Sequence, residues 1–425
     1  MPYRARRLTS STNVQSMFFG WKVVATAFLI ATFTFGVGYY GPSVFLNVLH
    51  QQRGWPVSVI AWAITLHFLV SAALVAKLPE AHQRFGIALT TFVGVTALAV
   101  GMLCWSVALA PWQLFAAAAV SGIGWAATSG AAIIAIVSPW FDRRRPLALG
   151  HALNGASAGG VAFAPLWVAL IARIGYTPAI ALVGVVMCVV LMPLIWRYLR
   201  PTPASLGLAP DGAGIAANEQ HNVRAEYPRA SLAQLFRRRS FATLSVSFAL
   251  GMFAQVGAVA HLVTHLAPIL GIAAAAGALS VITASAVIGR TMLGAALGDT
   301  DRRVVAAANF VMQACGVTLL AIGTAATTIV PGCILFGLGV GNLLTLPPLI
   351  AQREFPPETV SRVVALVTAV NQAVFAFAPA VLGVLREVSG SYLIPFLVAA
   401  GVQLVAACVV IVGRGIAPAG QLARD

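Results

Sequence analysis

The 425-residue chain has little charge, and most of what it has is of one sign. Asp, Glu, Lys and Arg together make up 9% of the residues, whereas a water-soluble domain carries about 25%. Hydrophobic residues make up 60%, and the mean hydropathy is +0.91. This composition excludes an ordinary soluble protein and predicts an integral membrane protein whose solvent is the lipid bilayer.

The sequence also lacks the residue clusters that metal sites and catalytic centres require. Its five cysteines occur singly, with no CxxC pair and no neighbouring Cys/His cluster, so neither a metal site nor a disulfide framework is expected. HExxH and an intramembrane aspartate pair are missing, which argues against an intramembrane enzyme. No cofactor is therefore predicted.

Long apolar runs account for most of the chain. A helix that crosses a ~30 Å hydrocarbon layer needs about 20 residues, and twelve runs meet this requirement. The apolar run after the polar first 17 residues is too long for a signal peptide, so the first helix is expected to be retained. The predicted spans are 20–46, 57–78, 87–109, 113–138, 146–171, 177–199, 241–267, 274–297, 303–325, 329–350, 361–386 and 392–413.

The basic residues alternate with these spans. Of the 26 Lys and Arg, all but four fall in segments that lie on one side of the membrane in this prediction. Arg53, Arg173 and Arg386 fall on the other side, and Arg290 falls within a span. By the positive-inside rule, both termini are cytoplasmic in a cell inner (plasma) membrane. A nucleic-acid partner is not expected, because a nucleic-acid-binding protein would gather its basic residues on one folded surface, with aromatic residues between them.

The two halves of the chain carry a repeated pattern. Residues 145–154 (RPLALGHALN) and 362–371 (RVVALVTAVN) share RxxALxxA(L/V)N at an offset of 217 residues. Nearly the same offset relates Gly122-Ile-Gly124 to Gly337-Leu-Gly339. We therefore predict an all-α protein of twelve transmembrane helices in two pseudo-repeated six-helix bundles. Residues 1–199 form the first bundle, 200–240 a cytoplasmic linker and 241–425 the second bundle.

Three stretches resemble a known family. They are 140–150 (WFDRRRPLALG) leading into 154–160 (NGASAGG), 200–212 (RPTPASLGLAPDG) and 289–294 (GRTMLG). Together with the six-plus-six pattern they are similar to the monocarboxylate porter and oxalate–formate antiporter group of the major facilitator superfamily. The resemblance implies the major facilitator fold and a monomeric secondary transporter.

The superfamily also has a conserved loop that latches helix ends in one transport state. The resemblance assigns this latch to Arg84 after helix 2 and to Asp299, Arg302 and Arg303 after helix 8. The first copy departs from the usual Asp-Arg-x-Gly, because it reads Gln83-Arg84-Phe85-Gly86.

Arg290 is the main candidate for substrate binding. It precedes Asp299 by nine residues, which places it roughly 13 Å inside the cytoplasmic end of helix 8. An Arg at this depth usually faces an aqueous cavity, and no Asp or Glu lies in the middle of any predicted span. A guanidinium without a partner suits a planar carboxylate, which it binds through two hydrogen bonds. The resemblance implies the same role. The alternative is a structural Arg bonded to helix-end carbonyls.

Neutral polar groups lie at similar depth. Asn371 in helix 11 and its repeat-related counterpart Asn154 in helix 5 offer amides, which bind a polar substituent but cannot neutralise a second charge. Asn342 in helix 10 and Tyr39 in helix 1 complete the predicted substrate site. The alternatives are amides that join neighbouring helices and a tyrosine of the interfacial belt. One cation with amides predicts a small organic monoanion.

Histidines are the candidates for proton coupling, because an imidazole titrates near neutral pH. His261 in helix 7 is the first candidate and His67 in helix 2 the second. A histidine that only bonds two helices together is the alternative for both. The sequence thus predicts a carrier that moves a small organic monocarboxylate by alternating access, with the proton as co-substrate. An organic anion exchanger and an efflux carrier for lipophilic compounds are the alternatives.

Overall fold

The computed structural model describes residues 18–75, 77–212, 238–296 and 300–414. In these ranges the regular structure is helical, without strands. The helices are Phe19–Gly38, Gly41–Arg53, Val57–Val75, Leu78–Phe85, Ile87–Val107, Pro111–Ala126, Gly130–Val137, Ser138–Trp140 (3-10), Arg145–Ile174, Tyr176–Tyr198, Ala204–Leu206 (3-10), Pro210–Gly212 (3-10), Arg239–Leu270, Ile272–Ala296, Arg302–Ile322, Ala326–Val340, Asn342–Glu354, Pro357–Phe375, Ala378–Ser389 and Leu393–Val412.

Twelve stretches of these helices are long and apolar enough to cross a membrane, as the sequence predicts. We number them spans 1 to 12. Their bounds are Phe19–Arg53, Val57–Val75, Ile87–Val107, Pro111–Trp140, Arg145–Ile174, Tyr176–Tyr198, Arg239–Leu270, Ile272–Leu293, Arg302–Ile322, Ala326–Glu354, Arg362–Ser389 and Leu393–Val412. Because the number of spans is even, the start of span 1 and the end of span 12 lie on the same side, which we call the terminal side. The chain is a multi-pass, all-α membrane protein.

Several spans are interrupted near their middle. Span 1 breaks at Tyr39 and Tyr40, inside the Gly/Pro-rich stretch of its sequence. Span 10 breaks at Gly341, whereas its prolines Pro347 and Pro348 lie inside the helix Asn342–Glu354. Proline inside a helix commonly bends it, but the interruption of span 10 lies at Gly341, before the two prolines. A Cβ atom at Gly341 would lie 2.6 Å from the main-chain oxygen of Ala286, so the glycine permits a close approach to span 8.

The repeated glycines have matching roles in the two halves. A Cβ atom at Gly122 of span 4 would lie 2.5 Å from the main-chain oxygen of His67 in span 2. A Cβ atom at Gly337 of span 10 would lie 2.5 Å from the main-chain oxygen of Ile282 in span 8. Real Cβ atoms do not approach oxygen this closely, so glycine is required at both positions. The sequence repeat therefore corresponds to a repeated packing of helix against helix.

Spans 1 to 6 and spans 7 to 12, which we call the N-terminal and C-terminal halves, meet through hydrogen bonds between spans 2 and 11. The Ser58 amide donates to Glu387 Oε1 (2.9 Å), and the Ala380 amide donates to Thr65 Oγ1 (3.1 Å). Ser58 lies at the start of span 2, so this contact reaches the side opposite the terminal side. We call it the outer contact.

Spans 5 and 8 form the other extensive contact between the halves. The Ser280 hydroxyl donates to the main-chain oxygen of Val161 (2.8 Å). Beside it, a Cβ atom at Gly160 would lie 2.3 Å from Thr283 Cγ2, so the glycine lets the two spans touch. The halves are thus joined from their middle to the opposite side.

The linker segment next to span 6 docks onto the loop that precedes span 5. The Asp211 carboxylate accepts hydrogen bonds from the backbone amides of residues 142, 143 and 144, at 3.1, 2.7 and 3.3 Å. Asp211 adopts a positive φ of 61° to reach them. Two of the stretches that carry the family resemblance, 140–150 and 200–212, are therefore in contact.

Candidate functional site

Arg290 lies between the two halves, six residues before the end of the helix Ile272–Ala296. Its Nη1 atom donates a hydrogen bond of 2.6 Å to Asn154 Oδ1 of span 5. Its Nε atom is buried and has no hydrogen-bond partner in the part of the chain that the structure describes. The acceptor is a neutral amide, so the hydrogen bond leaves the positive charge of Arg290 uncompensated. This arrangement favours the binding of an anion over the structural alternative, in which helix-end carbonyls would be the acceptors.

Gly341 lies beside this guanidinium, and Tyr40 lies at the contact of the two spans that its hydrogen bond joins. A Cβ atom at Gly341 would lie 3.1 Å from Arg290 Nη2, so the break in span 10 accommodates the side chain. Tyr40 lies at the contact of spans 5 and 8, where a Cβ atom at Gly160 would be 2.8 Å from Tyr40 Cε2. The sequence names Tyr39 for the site, but Tyr39 stacks on Trp125 with ring centroids 6.2 Å apart. The next residue, Tyr40, is therefore the tyrosine at the contact of spans 5 and 8, the two spans that the Arg290–Asn154 hydrogen bond joins.

The other predicted amides are buried near the middle of the C-terminal half. Asn342 follows Gly341 directly, and its Nδ2 donates to Asn309 Oδ1 of span 9 (2.9 Å). Asn371 is buried, and its Oδ1 has no partner among the described residues. Its neighbour Gln372 donates to Ser71 Oγ of span 2 (3.1 Å), which joins the two halves. Neither Asn342 nor Asn371 bonds to Arg290 in the described part of the structure.

The two candidate histidines are fully buried and lie apart from Arg290. His67 Nδ1 is 2.9 Å from Ser121 Oγ of span 4, within the N-terminal half. His261 Nε2 is 2.8 Å from the main-chain oxygen of Pro379, and Nδ1 is 3.3 Å from the Tyr392 hydroxyl. Because a carbonyl oxygen only accepts, the Nε2 atom of His261 carries a proton. Both histidines bond neighbouring helices, so their geometry fits the structural alternative and leaves their proton-coupling role a proposal.

A cavity of about 600 Å³ extends from Asn154 to the terminal side, between spans 1 and 5. Asn154 thus lies at the inner end of this cavity and bonds to Arg290 on its other side. The opposite end is formed by Trp21, two residues from the start of span 1, and by His151, whose rings lie 6.0 Å apart. The lining residues are Trp21, Val24, Ala25, Phe28, Leu29, His151 and Asn154.

The predicted latch residues behave differently from one another. Arg84 is exposed on the short helix Leu78–Phe85, with its guanidinium over the Phe85 ring at 5.2 Å. Arg302 Nη1 donates to the main-chain oxygen of Thr300 (2.9 Å), and Asp299 lies outside the described residues. Among the latch residues that the structure describes, Arg303 is the one that joins several helix ends, and all of them belong to the C-terminal half.

Arg303 is almost fully buried at the terminal side. It forms a two-pronged ion pair with Glu354 of span 10, with Nη2 2.8 Å from Oε2. It also donates to the main-chain oxygens of Ser240 in span 7 and Val410 in span 12, both at 3.0 Å. A buried Arg is stable only when its donors are paired in this way.

Asp301 caps the start of span 9 beside this ion pair. Its carboxylate accepts from the Arg303 amide (2.8 Å) and from Arg414 Nε (2.7 Å). Burial alone raises the pKa of Asp301, but the hydrogen bonds from Arg414 and from the backbone amides outweigh it and lower the pKa below its usual value. The carboxylate is therefore ionised at neutral pH and holds Arg414, which follows span 12, to the start of span 9.

Comparison with known proteins agrees with this architecture. The profile of the Major Facilitator Superfamily matches residues 28–379. The chain belongs to the major facilitator superfamily. Among solved structures, the nucleoside transporter NupG superimposes with a TM-score of 0.72 at 12% identity, covering 92% of this chain and 100% of that one. A bacterial homologue of the human lysosomal transporter Spinster superimposes with a TM-score of 0.69 at 13% identity, covering 94% and 97%.

Relatives with curated names include monocarboxylate transporters. Monocarboxylate transporter 13 of Bos taurus is 27% identical over 397 residues, which is 92% of this chain and 88% of the relative. Monocarboxylate transporter 7 of Homo sapiens is 28% identical over 192 residues, which is 45% of this chain and 36% of the relative. This superfamily transporter is thus related, at low identity, to monocarboxylate transporters.

Sequence reasoning did not identify three parts of the site. The Arg290–Asn154 bond joins residues 136 positions apart, and no local pattern indicates such a pairing. Gly341 is one of 39 glycines, and its place between the repeated Gly337-Leu-Gly339 and Asn342 does not indicate that it borders Arg290. The cavity face of span 1 does carry a signal, because Trp21, Ala25 and Phe28 recur at the i, i+4, i+7 spacing of one helix face.

Proposed function

We propose that this transporter moves a small organic monocarboxylate across the inner (plasma) membrane, with both termini in the cytoplasm. The proposal rests on the position and bonding of Arg290. This cation lies where the two halves meet, and its described hydrogen bond goes to a neutral amide. A carboxylate can accept two parallel hydrogen bonds from a guanidinium and compensates its charge. The relationship to monocarboxylate transporters supports the same substrate class.

The mechanism we propose is alternating access around Arg290. The site lies between two halves that share a repeat, which is the usual arrangement in secondary transporters. The cavity next to Asn154 opens toward the terminal side. A second cavity, of about 590 Å³, lies on the opposite side and is lined partly by the amides of Asn47, Gln51 and Gln52. The space on both sides of the central contact supports access from each side in turn.

Charge balance supports coupling to a proton. An inside-negative potential opposes inward movement of a monoanion by about 2.3 kcal/mol per 100 mV, so accumulation requires a co-transported proton or an exchanged anion. We propose His261 as the proton carrier, because it packs against span 11 next to the outer contact. A Cβ atom at Gly383 would be 3.5 Å from His261 Cε1 and 2.8 Å from Ala61 of span 2. A charge on His261 would therefore act next to the surface that joins the halves.

The test is transport by the purified protein in proteoliposomes. Counterflow of a labelled monocarboxylate panel is measured for the wild type and for Arg290→Ala, Arg290→Lys and Arg173→Ala. Arg173 is an exposed cation at the far end of span 5 and serves as the matched control.

We expect Arg290→Ala to abolish counterflow and Arg290→Lys to reduce it strongly, because an ammonium cannot reproduce the two-pronged contact. Arg173→Ala should transport at the wild-type rate. Wild-type counterflow in Arg290→Ala, or transport of neutral carboxamides as fast as of the acids, would overturn the proposal.

A further inference from the structure

The cavity on the terminal side differs in chemical character along its length. At its inner end, Asn154 and the adjacent Arg290 are polar. From there to Trp21 the wall contributed by span 1 is apolar, with Val24, Ala25, Phe28 and Leu29. None of the residues that line the cavity carries a permanent charge. A molecule that fits this space has one charged or polar end and an apolar body.

The apolar wall has a defined length and a continuous surface. Residues 21, 24, 25, 28 and 29 follow the i, i+3, i+4, i+7, i+8 pattern, which places them on one helix face. Seven residues separate Trp21 from Phe28, so the wall is about 10 Å long at 1.5 Å per residue. Ala25 is exposed in the middle of this face, where its small side chain leaves room between the larger neighbours.

We propose that the substrate is a monocarboxylate with an extended apolar tail, aromatic or branched aliphatic, that lies along this face of span 1. The inference rests on the proposed function, because it assumes that Arg290 binds the carboxylate. A carboxylate at Arg290 directs its tail past Asn154 into the cavity. At about 600 Å³ the open cavity has room for more than a small acid, because an acid of two or three carbons would leave most of it filled with water.

The apolar wall gives the tail a measurable contribution to affinity. Each buried methylene contributes about 0.8 kcal/mol, which corresponds to about a fourfold gain in affinity. Acids with longer tails should therefore bind more tightly until the tail reaches Trp21. Shorter acids should bind through the carboxylate alone.

The first experiment measures equilibrium binding to the detergent-purified wild type, which avoids passive membrane permeation by apolar acids. Labelled 4-phenylbutyrate is displaced by acetate, propionate, butyrate, hexanoate and 3-phenylpropionate, and by the neutral 4-phenylbutyramide. We expect half-displacing concentrations to fall by about fourfold per added carbon over this series. Equal displacement by acetate and 3-phenylpropionate would overturn the tail assignment while leaving the carboxylate site intact. If labelled 4-phenylbutyrate does not bind, while counterflow of short acids depends on Arg290, the tail assignment is overturned as well.

The second experiment narrows the cavity by enlarging one side chain of its apolar wall. Ala25→Leu adds volume at the exposed centre of the face and should weaken binding of 4-phenylbutyrate by about 5- to 150-fold, because overpacking costs about 1–3 kcal/mol. Acetate should bind as it does to the wild type. Ala308→Leu is the matched control, because Ala308 is exposed on span 9, which packs on spans 10 and 12.

Two outcomes of these experiments separate the tail assignment from the proposed function. An equal loss of acetate and 4-phenylbutyrate binding in Ala25→Leu would overturn the tail assignment. Displacement of 4-phenylbutyrate by its amide as well as by the acid would show instead that the carboxylate site, and thus the proposed function, is wrong.

Discussion

Asn154→Asp should inactivate the site by supplying an anion within the protein itself. Asn154 Oδ1 lies 2.6 Å from Arg290 Nη1, so an aspartate in the same rotamer places a carboxylate against the guanidinium. Two opposite charges about 4 Å apart attract each other by about 4 kcal/mol at an effective dielectric constant of 20. A substrate carboxylate would have to displace this internal partner and would also be repelled by it.

The expected loss of affinity follows from that attraction. Solvent in the open cavity screens part of it, so we take a range of about 2–4 kcal/mol, which corresponds to about a 30- to 700-fold weaker binding of a monocarboxylate. Asn154→Leu is the control of similar volume. It removes the amide without adding charge, and loss of one neutral hydrogen bond to substrate costs about 0.5–1.5 kcal/mol, or at most about tenfold.

The assay is equilibrium binding in detergent, combined with thermal unfolding of the empty protein. Asn154→Asp should melt at or above the wild-type temperature, because the new carboxylate compensates the charge of Arg290. That result distinguishes a blocked site from a misfolded protein. Wild-type affinity in a folded Asn154→Asp protein, or equal losses in the Asp and Leu variants, would refute the assignment of Arg290 as the anion site.

Two further predictions concern coupling and the linker. We expect uptake to rise as external pH falls and His261→Gln to flatten this dependence more than it slows exchange at equal concentrations. His265→Gln, on the same span and bonded to the main-chain oxygen of Leu320, should keep the wild-type pH profile. Proton-gradient-driven accumulation that survives unchanged in His261→Gln would remove the histidine from the mechanism. Asp211→Ala should lower the melting temperature, because three backbone amides lose their acceptor, at a cost of about 1 kcal/mol. Asp142→Ala, which loses only a 3.8 Å contact with Arg145, should melt close to the wild type, and equal melting of the two variants would contradict this role.

The features that the sequence predicts well are those that depend on local composition. Each span is an apolar run with charge or Pro/Gly at its ends, so its existence follows from the length of helix that lipid requires. The repeat pairs Gly122 with Gly337, and in the structure both glycines pack closely against a neighbouring helix.

The features that the sequence does not predict depend on contacts between distant segments. Asn154 becomes the partner of Arg290 only when span 5 packs against span 8. The choice between Tyr39 and Tyr40 depends on the break in span 1, which turns adjacent side chains in different directions. Asp211 contacts the loop before span 5 only because the chain reverses after span 6. None of these pairings has a periodic signal in the sequence.

The scarcity of acidic residues in the spans takes on meaning beside the geometry of Arg290. Insertion of an Arg near the middle of a membrane is costly, and an Asp or Glu on a facing helix would be the simplest way to compensate it. The facing residue is instead Asn154, which accepts a hydrogen bond and leaves the charge uncompensated. An internal carboxylate would stabilise the empty protein and compete with substrate for the same donors. The charge of Arg290 therefore remains free to attract an external anion. A binding site for a monocarboxylate requires this property.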